Sequence, residues 1–78
     1  MARLRLFGPA REAAGTSIVE LSGQKVSDVI AAAEEKFGNT FSQILRVSNI
    51  WLNGENVEDD AKVNDEDEIA VIPPVSGG

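Results

Sequence analysis

The sequence predicts an α+β domain in which one main helix packs on a mixed sheet. Three observations carry this. Short segments at both ends of the chain alternate apolar and polar residues with period two. One longer segment, Val26 to Phe37, repeats apolar residues at helical spacing. Between them lies Asn53-Gly54, a dipeptide suited to a type I′ hairpin turn. The 78 residues fit one small domain with a modest core. A hydrophobic share of 42% and a charged share of 26% are those of a globular chain, not a disordered one.

The elements follow in order. Arg3-Leu4-Arg5-Leu6-Phe7 reads as a strand, with Leu4 and Leu6 toward the core and Arg3, Arg5 and Phe7 away from it. Gly8-Pro9 breaks that strand, and Arg11 to Ala14 forms a helical turn before Gly15. Thr16 to Leu21 is a second strand with Val19 and Leu21 inward. In the main helix Val26, Val29, Ile30, Ala33 and Phe37 share one face, Asp28 lies near the N-terminal end, and Gly38 is placed to end it in the αL conformation. Phe41, Ile44, Leu45 and Val47 suggest a further short turn of helix. Ile50-Trp51-Leu52 leads into the hairpin, and Val57 belongs to the brief returning strand. Glu68 to Ile72 is the last strand, with Ile69 and Val71 inward and Ala70 and Ile72 outward. Pro73-Pro74 forbids further ladder pairing. Residues 1–72 are thus expected to fold, and 73–78 to form an extended C-terminal tail.

Composition excludes several chemistries. There is no cysteine and no histidine, so this chain offers no disulfide, no thiolate or imidazole metal site, and no Cys–His or Ser–His nucleophile. The net charge of −6 disfavours nucleic acid and anionic membranes and suits a basic protein partner. No apolar run is long enough for a membrane span. The N-terminal residues do not lead into a signal-peptide core, which implies a cytoplasmic protein. Residues 55–68 hold eight carboxylates against Lys62 alone. They lack the spacing of a calcium loop, so they form either a solvated loop or a surface that steers a basic partner.

Alternation places Phe7, Trp51 and Ile72 on the sheet face opposite the main helix. That face is either an interface or is covered by the 38–49 segment. The tail poses a separate question. Pro73-Pro74 stiffens its base, and Val75-Ser76-Gly77-Gly78 ends in residues without side chains. Fully extended, these six residues reach roughly 20 Å. Such a tail is either a frayed end or a probe that threads a narrow channel. At its tip the Gly78 carboxylate could be activated by ATP as an acyl-adenylate and then converted to a thiocarboxylate.

These motifs resemble one family. Leu4-Arg5-Leu6-Phe7 is followed by Ala10-Arg11-Glu12 and Gly15; Val26-Ser27-Asp28-Val29 opens the helix; Leu52-Asn53-Gly54-Glu55 forms the hairpin. Asp67-Glu68-Ile69-Ala70 runs into Ile72-Pro73-Pro74-Val75-Ser76-Gly77-Gly78. Over nearly its whole length the chain resembles the small subunit of molybdopterin synthase, the MoaD-type sulfur carriers of the MoaD/ThiS family. A terminal Gly-Gly is shared with other carriers and modifiers; the double proline ahead of it is more specific.

The resemblance implies a ubiquitin-like β-grasp fold and a carrier that is not itself an enzyme. An ATP-dependent activating enzyme would adenylate Gly78, sulfur would replace one oxygen, and the tail (Pro73, Pro74, Val75, Ser76, Gly77) would insert into the large subunit. There it would donate sulfur to cyclic pyranopterin monophosphate during molybdenum cofactor biosynthesis. The assembly implied is a heterotetramer of two small and two large subunits, with no bound cofactor or metal in this chain. Phe7, Trp51, Ala70, Ile72 and Arg11 are the expected interface residues. Three positions depart from the family pattern. Glu66 stands where glycine is frequent, so its turn is either different or mildly strained. Trp51 is bulkier than expected, and Asn56 replaces an apolar contact. Three further readings stay open: a carrier for another pathway such as thiamine thiazole formation, a ubiquitin-like protein modifier joined to lysines, and an interaction domain whose tail is never modified.

Overall fold

The computed structural model describes residues 1–74; the expectations for Val75, Ser76, Gly77 and Gly78 lie outside the described residues. The elements are β1 (Ala2–Leu6), α1 (Gly8–Ala14), β2 (Ile18–Leu21), α2 (Val26–Phe37), α3 (Asn39–Arg46), β3 (Asn49–Leu52), β4 (Glu55–Asn56) and β5 (Glu68–Ile72). They form one five-stranded sheet in the order β2-β1-β5-β3-β4. β5 lies at its centre, parallel to β1 and antiparallel to β3. The sheet is therefore mixed, and its grip on α2 is the β-grasp arrangement.

Alternation decides which residues fill the core. Leu4 and Leu6 of β1 and Ile69 and Val71 of β5 are fully buried, as are Val26, Val29 and Ala33 of α2. Each large aliphatic side chain taken out of water contributes about 1.5–3 kcal/mol. Among the described residues no polar or charged side chain is buried.

Three helices stand where one main helix is expected. Gly8-Pro9 ends the strand but also opens α1, with Pro9 in its first turn, where a missing N–H costs nothing. Ala10 then reaches the core, and Gly15, at φ 76°, closes α1 in the αL conformation. α3 is a full eight-residue helix that buries Phe41 and Leu45. The Phe41 ring packs on Phe37 with centroids 5.1 Å apart. Val47 is not part of this apolar face: it caps α3 and is 64% exposed. Gly38 does have a positive φ of 90°, but its ψ of −168° is extended, because it links α2 directly to α3 instead of ending a chain segment in αL. β2 begins at Ile18 rather than Thr16, and β4 ends at Asn56, so Val57 lies beyond the ladder.

The N-terminus of α2 is satisfied from two sides. The Asp28 carboxylate accepts the backbone N–H groups of Gln24 and Lys25, both at 3.2 Å. The Val26 and Ser27 N–H groups donate to the carbonyls of Ala61 and Asp59, both at 2.9 Å. This explains part of the acidic run: Glu58-Asp59-Asp60 folds against the positive end of a helix dipole. Gly23 permits the approach, since a Cβ there would lie 2.8 Å from Val29 Cγ2 and 2.9 Å from its backbone nitrogen.

The hairpin is locked to β5. Asn53 and Gly54 have φ of 50° and 86°, as a primed turn requires. The Asn53 amide donates to Asp67 Oδ1 at 3.0 Å, and its oxygen accepts the Glu68 N–H at 3.0 Å. Asp67 Oδ2 accepts the Asn64 N–H at 2.8 Å. That backbone donor first, and the Asn53 amide second, hold the Asp67 carboxyl below the usual carboxylate range. The turn containing Glu66 is different from a glycine turn and unstrained: among the described residues Asn53 is the one non-glycine with positive φ.

Because the folded-state pKa of Asp67 is depressed, its contribution is present above the ordinary aspartate value and is lost as pH falls through the lower native one. Asn53→Ala removes the clasp and should lower stability at neutral pH. Urea unfolding of both proteins at pH 7 and pH 3 checks this. The deficit should narrow in acid, where the wild type loses part of the same clasp; an equal deficit at both pH values would contradict the linkage.

Candidate functional site

The three helices bury the inner face of the sheet, and the 38–49 segment lies with them as α3 and the entry to β3. Its residues Phe41 and Leu45 join the helix-side core. It therefore does not cover the outer face. The ladder registers define what that face presents. Arg5 pairs with Ile18 on one side and Ala70 on the other, and Ala70 pairs with Trp51, which in turn pairs with Asn56. One row thus crosses all five strands as Ile18, Arg5, Ala70, Trp51, Asn56. In the next row Ile72 stands opposite Asn49, with Phe7 following β1 at the same end of the sheet.

Small Ala70 between long Arg5 and broad Trp51 leaves a depression of about 310 Å³. Its lining includes Arg5, Phe7, Trp51, Glu68, Ala70 and Ile72. Phe7 is 42% exposed and Ile72 37%. Arg5 and Glu68 form an ion pair at the polar end of the depression. The apolar end lies where β5 leaves the sheet, beside buried Pro73 and exposed Pro74.

Of the residues singled out in the sequence, Phe7, Trp51, Ala70 and Ile72 come together in this depression. Arg11 does not line it; it sits on α1 and makes no ion pair with any described residue. Arg5, Glu68, Asn53 and Gly54 are the lining residues that sequence reasoning did not assign to this site, the last two being read only as the hairpin turn. For Arg5 the signal was present, since alternation places Arg5 on the same face as Phe7. What joins Arg5 to Ala70 and Glu68 is a parallel pairing across more than sixty residues, which local pattern does not reveal. Among the described residues no group of three or more Asp and Glu side chains could hold a metal ion, and no helix is long and apolar enough to cross a membrane.

Phe7 breaks a local rule. It is the N-cap of α1, a position that favours Ser, Thr, Asp or Asn, and it supplies no side-chain hydrogen bond there. Its backbone carbonyl accepts the Ala10 N–H at 3.2 Å, but the ring serves the outer face. A chain selected for helix stability alone would place a polar cap here.

A model of the ThiS family matches residues 4–78. The molybdopterin synthase sulfur carrier subunit of Dictyostelium discoideum is 51% identical over 39 residues, 47% of this chain and 45% of that one, so the match spans less than half of that relative. The solution structure of small archaeal modifier protein 1 from Methanosarcina acetivorans superposes with a TM-score of 0.82 at 32% identity, covering 99% of this chain and 95% of that one. A protein–protein complex of subunits 1 and 2 of the molybdopterin-converting factor from Helicobacter pylori contains a chain matched with a TM-score of 0.75 at 26% identity, covering 99% of this chain and 97% of that one.

The outer face should be dispensable for folding. Phe7→Ser removes an exposed ring and supplies a capping hydroxyl, so it should leave stability unchanged or raise it by up to about 1 kcal/mol. Thermal unfolding followed by circular dichroism tests this; a large loss would place Phe7 among the core residues.

Proposed function

The chain belongs to the ThiS family, and from that premise we propose that it is the sulfur-carrier subunit of a molybdopterin synthase. The observation that carries this reading is the continuity of the family match through Ile72-Pro73-Pro74-Val75-Ser76-Gly77-Gly78. The uncovered apolar end of the sheet, next to the point where β5 passes into that segment, supports it.

Under this proposal the chain supplies no catalytic side chain. An activating enzyme uses ATP to convert the Gly78 carboxylate to an acyl-adenylate, releasing pyrophosphate. A sulfur donor displaces AMP and leaves a thiocarboxylate. The tail enters the large subunit, which holds cyclic pyranopterin monophosphate; the sulfur bonds to that substrate, and water cleaves the acyl–sulfur bond to restore the Gly78 carboxylate. Gly77 and Gly78 keep the channel requirement narrow and the carbonyl carbon open to attack. Pro73 and Pro74 lower the entropy lost when the tail is ordered. The likeness to a chain of a two-subunit complex favours docking to a large subunit; the assembly proposed is a heterotetramer of two small and two large chains. The absence of cysteine and histidine fits a carrier whose reactive group is the main chain.

A second reading is a protein modifier joined through Gly78 to lysines. The 32% identity to an archaeal modifier protein favours it. Both readings use an activated Gly78, and they part at the acceptor.

Intact-mass spectrometry after incubation with the cognate extract, ATP and a sulfur source should show exchange of one oxygen for sulfur at Gly78. Deletion of Gly78 should abolish sulfur transfer and leave the fold intact. An unmodified terminus in an active extract would defeat both carrier and modifier, and isopeptide-linked lysine conjugates without thiocarboxylate would favour the modifier. Phe7→Glu should weaken large-subunit binding by at least tenfold, because it places a charge in an apolar contact. Isothermal titration with the large subunit measures this, and unchanged affinity would remove the outer face from the docking surface.

A further inference from the structure

We infer that Asn53 is a site of spontaneous covalent modification: its amide deamidates through the Gly54 nitrogen whenever the hairpin opens, and the clasp to Asp67 and Glu68 holds that reaction in check. The reaction uses water alone and stands apart from any role of Gly78.

The reacting pair lies at the tip of the hairpin. The chain has five asparagines, and Asn53 alone precedes a glycine; the others precede Thr40, Ile50, Val57 and Asp65. A side chain on the following residue crowds its backbone nitrogen. Gly54 has none, both residues are exposed, and open space surrounds the position a Cβ would take. Water and hydroxide therefore reach the Gly54 N–H. Once that nitrogen loses its proton to base in solution, it attacks Asn53 Cγ. The N–Cγ bond forms, the Cγ–Nδ2 bond breaks, and the amide nitrogen takes protons from water and leaves as ammonia. Water then opens the succinimide ring at either carbonyl, which leaves aspartate or isoaspartate at position 53. In sum, one water is consumed and one ammonia released.

The amide is the restrained partner. Asn53 is held at three points: its backbone N–H donates to the Glu68 carbonyl at 2.8 Å, its Nδ2 donates to Asp67 Oδ1 at 3.0 Å, and its Oδ1 accepts the Glu68 N–H at 3.0 Å. Attack on a carbonyl carbon comes from above the plane of the group. The two side-chain bonds fix that plane toward β5. Turning it onto Gly54 gives up both and leaves the Glu68 N–H and an Asp67 oxygen without these partners. The reaction therefore runs through a locally opened hairpin, a fluctuation that exposed turns undergo.

The product cannot close the clasp again. A carboxylate at position 53 donates no hydrogen bond, and it faces the Asp67 carboxylate, which repels it. Isoaspartate also adds a methylene to the main chain of a turn whose φ values of 50° and 86° are set by the hairpin. The hairpin then loses its tie to Glu68, the first residue of β5.

Peptide mapping by mass spectrometry tests this on the full chain held at mildly alkaline pH. The peptide containing Asn53 should gain the mass difference between an amide and an acid, in aspartate and isoaspartate forms that chromatography separates. Wild type should react at least tenfold more slowly when folded than in urea strong enough to unfold it. Asp67→Ala, shown to be folded by circular dichroism, should react at least fivefold faster than folded wild type, and the two should react equally in urea. Asp67→Asn keeps the size of the side chain and weakens its acceptance of both hydrogen bonds. It should also react faster than wild type, and it decides the matter if Asp67→Ala does not fold. Equal rates for folded and unfolded wild type would overturn the inference, as would no reaction at Asn53 in urea or a folded Asp67 variant no faster than wild type. A slower Asp67→Ala would make Asp67 a promoter of the reaction and overturn it as well.

Discussion

The domain depends on β5. This five-residue strand holds the middle of the sheet and joins two halves that are far apart in sequence: β1 and β2 on one side, β3 and β4 on the other. Its inward residues, Ile69 and Val71, are fully buried beside Leu4 and Leu6. Its outward residues, Ala70 and Ile72, shape the candidate docking face. The period of two makes these roles inseparable. A slip of one residue in β5 would expose the core pair and bury the docking pair, so the buried face fixes the geometry of the exposed one. The Asn53–Asp67–Glu68 clasp guards that register by tying the hairpin to the first residue of the strand.

The two faces of the sheet differ in what covers them. All three helices serve the inner face, where no polar side chain is buried among the described residues. The outer face keeps Phe7, Ile18 and Ile72 exposed. Phe7 holds an N-cap position where a polar residue would stabilise α1 better, so local helix stability is sacrificed there. Sites where a sequence departs from what its fold alone would favour are where function is to be sought.

Much of this was legible in the sequence, for identifiable reasons. Strict alternation in β1 and β5 gave both faces of both strands. The helical spacing of Val26, Val29 and Ala33 gave α2, and Asn53-Gly54 gave the turn. The misses share a cause. Gly8-Pro9 read as a breaker, yet proline at the start of a helix is also an initiator, and only the packing of Ala10 chooses between them. Val47 reads as part of one short helical turn with Phe41, Ile44 and Leu45, but α3 ends one residue earlier and leaves it exposed. The side on which the 38–49 segment lies, and the meeting of Arg5 with Glu68, are long-range facts that local pattern does not encode.

The parallel pairing of β1 with β5 has a mechanical consequence. A pull applied to the chain beyond Ile72 runs along the axis of β5, where the strand is held by β1 on one side and β3 on the other. Such a load shears both ladders at once instead of peeling bonds one after another. Tension on this strand is therefore shared by two ladders, and the sheet does not unravel one bond at a time.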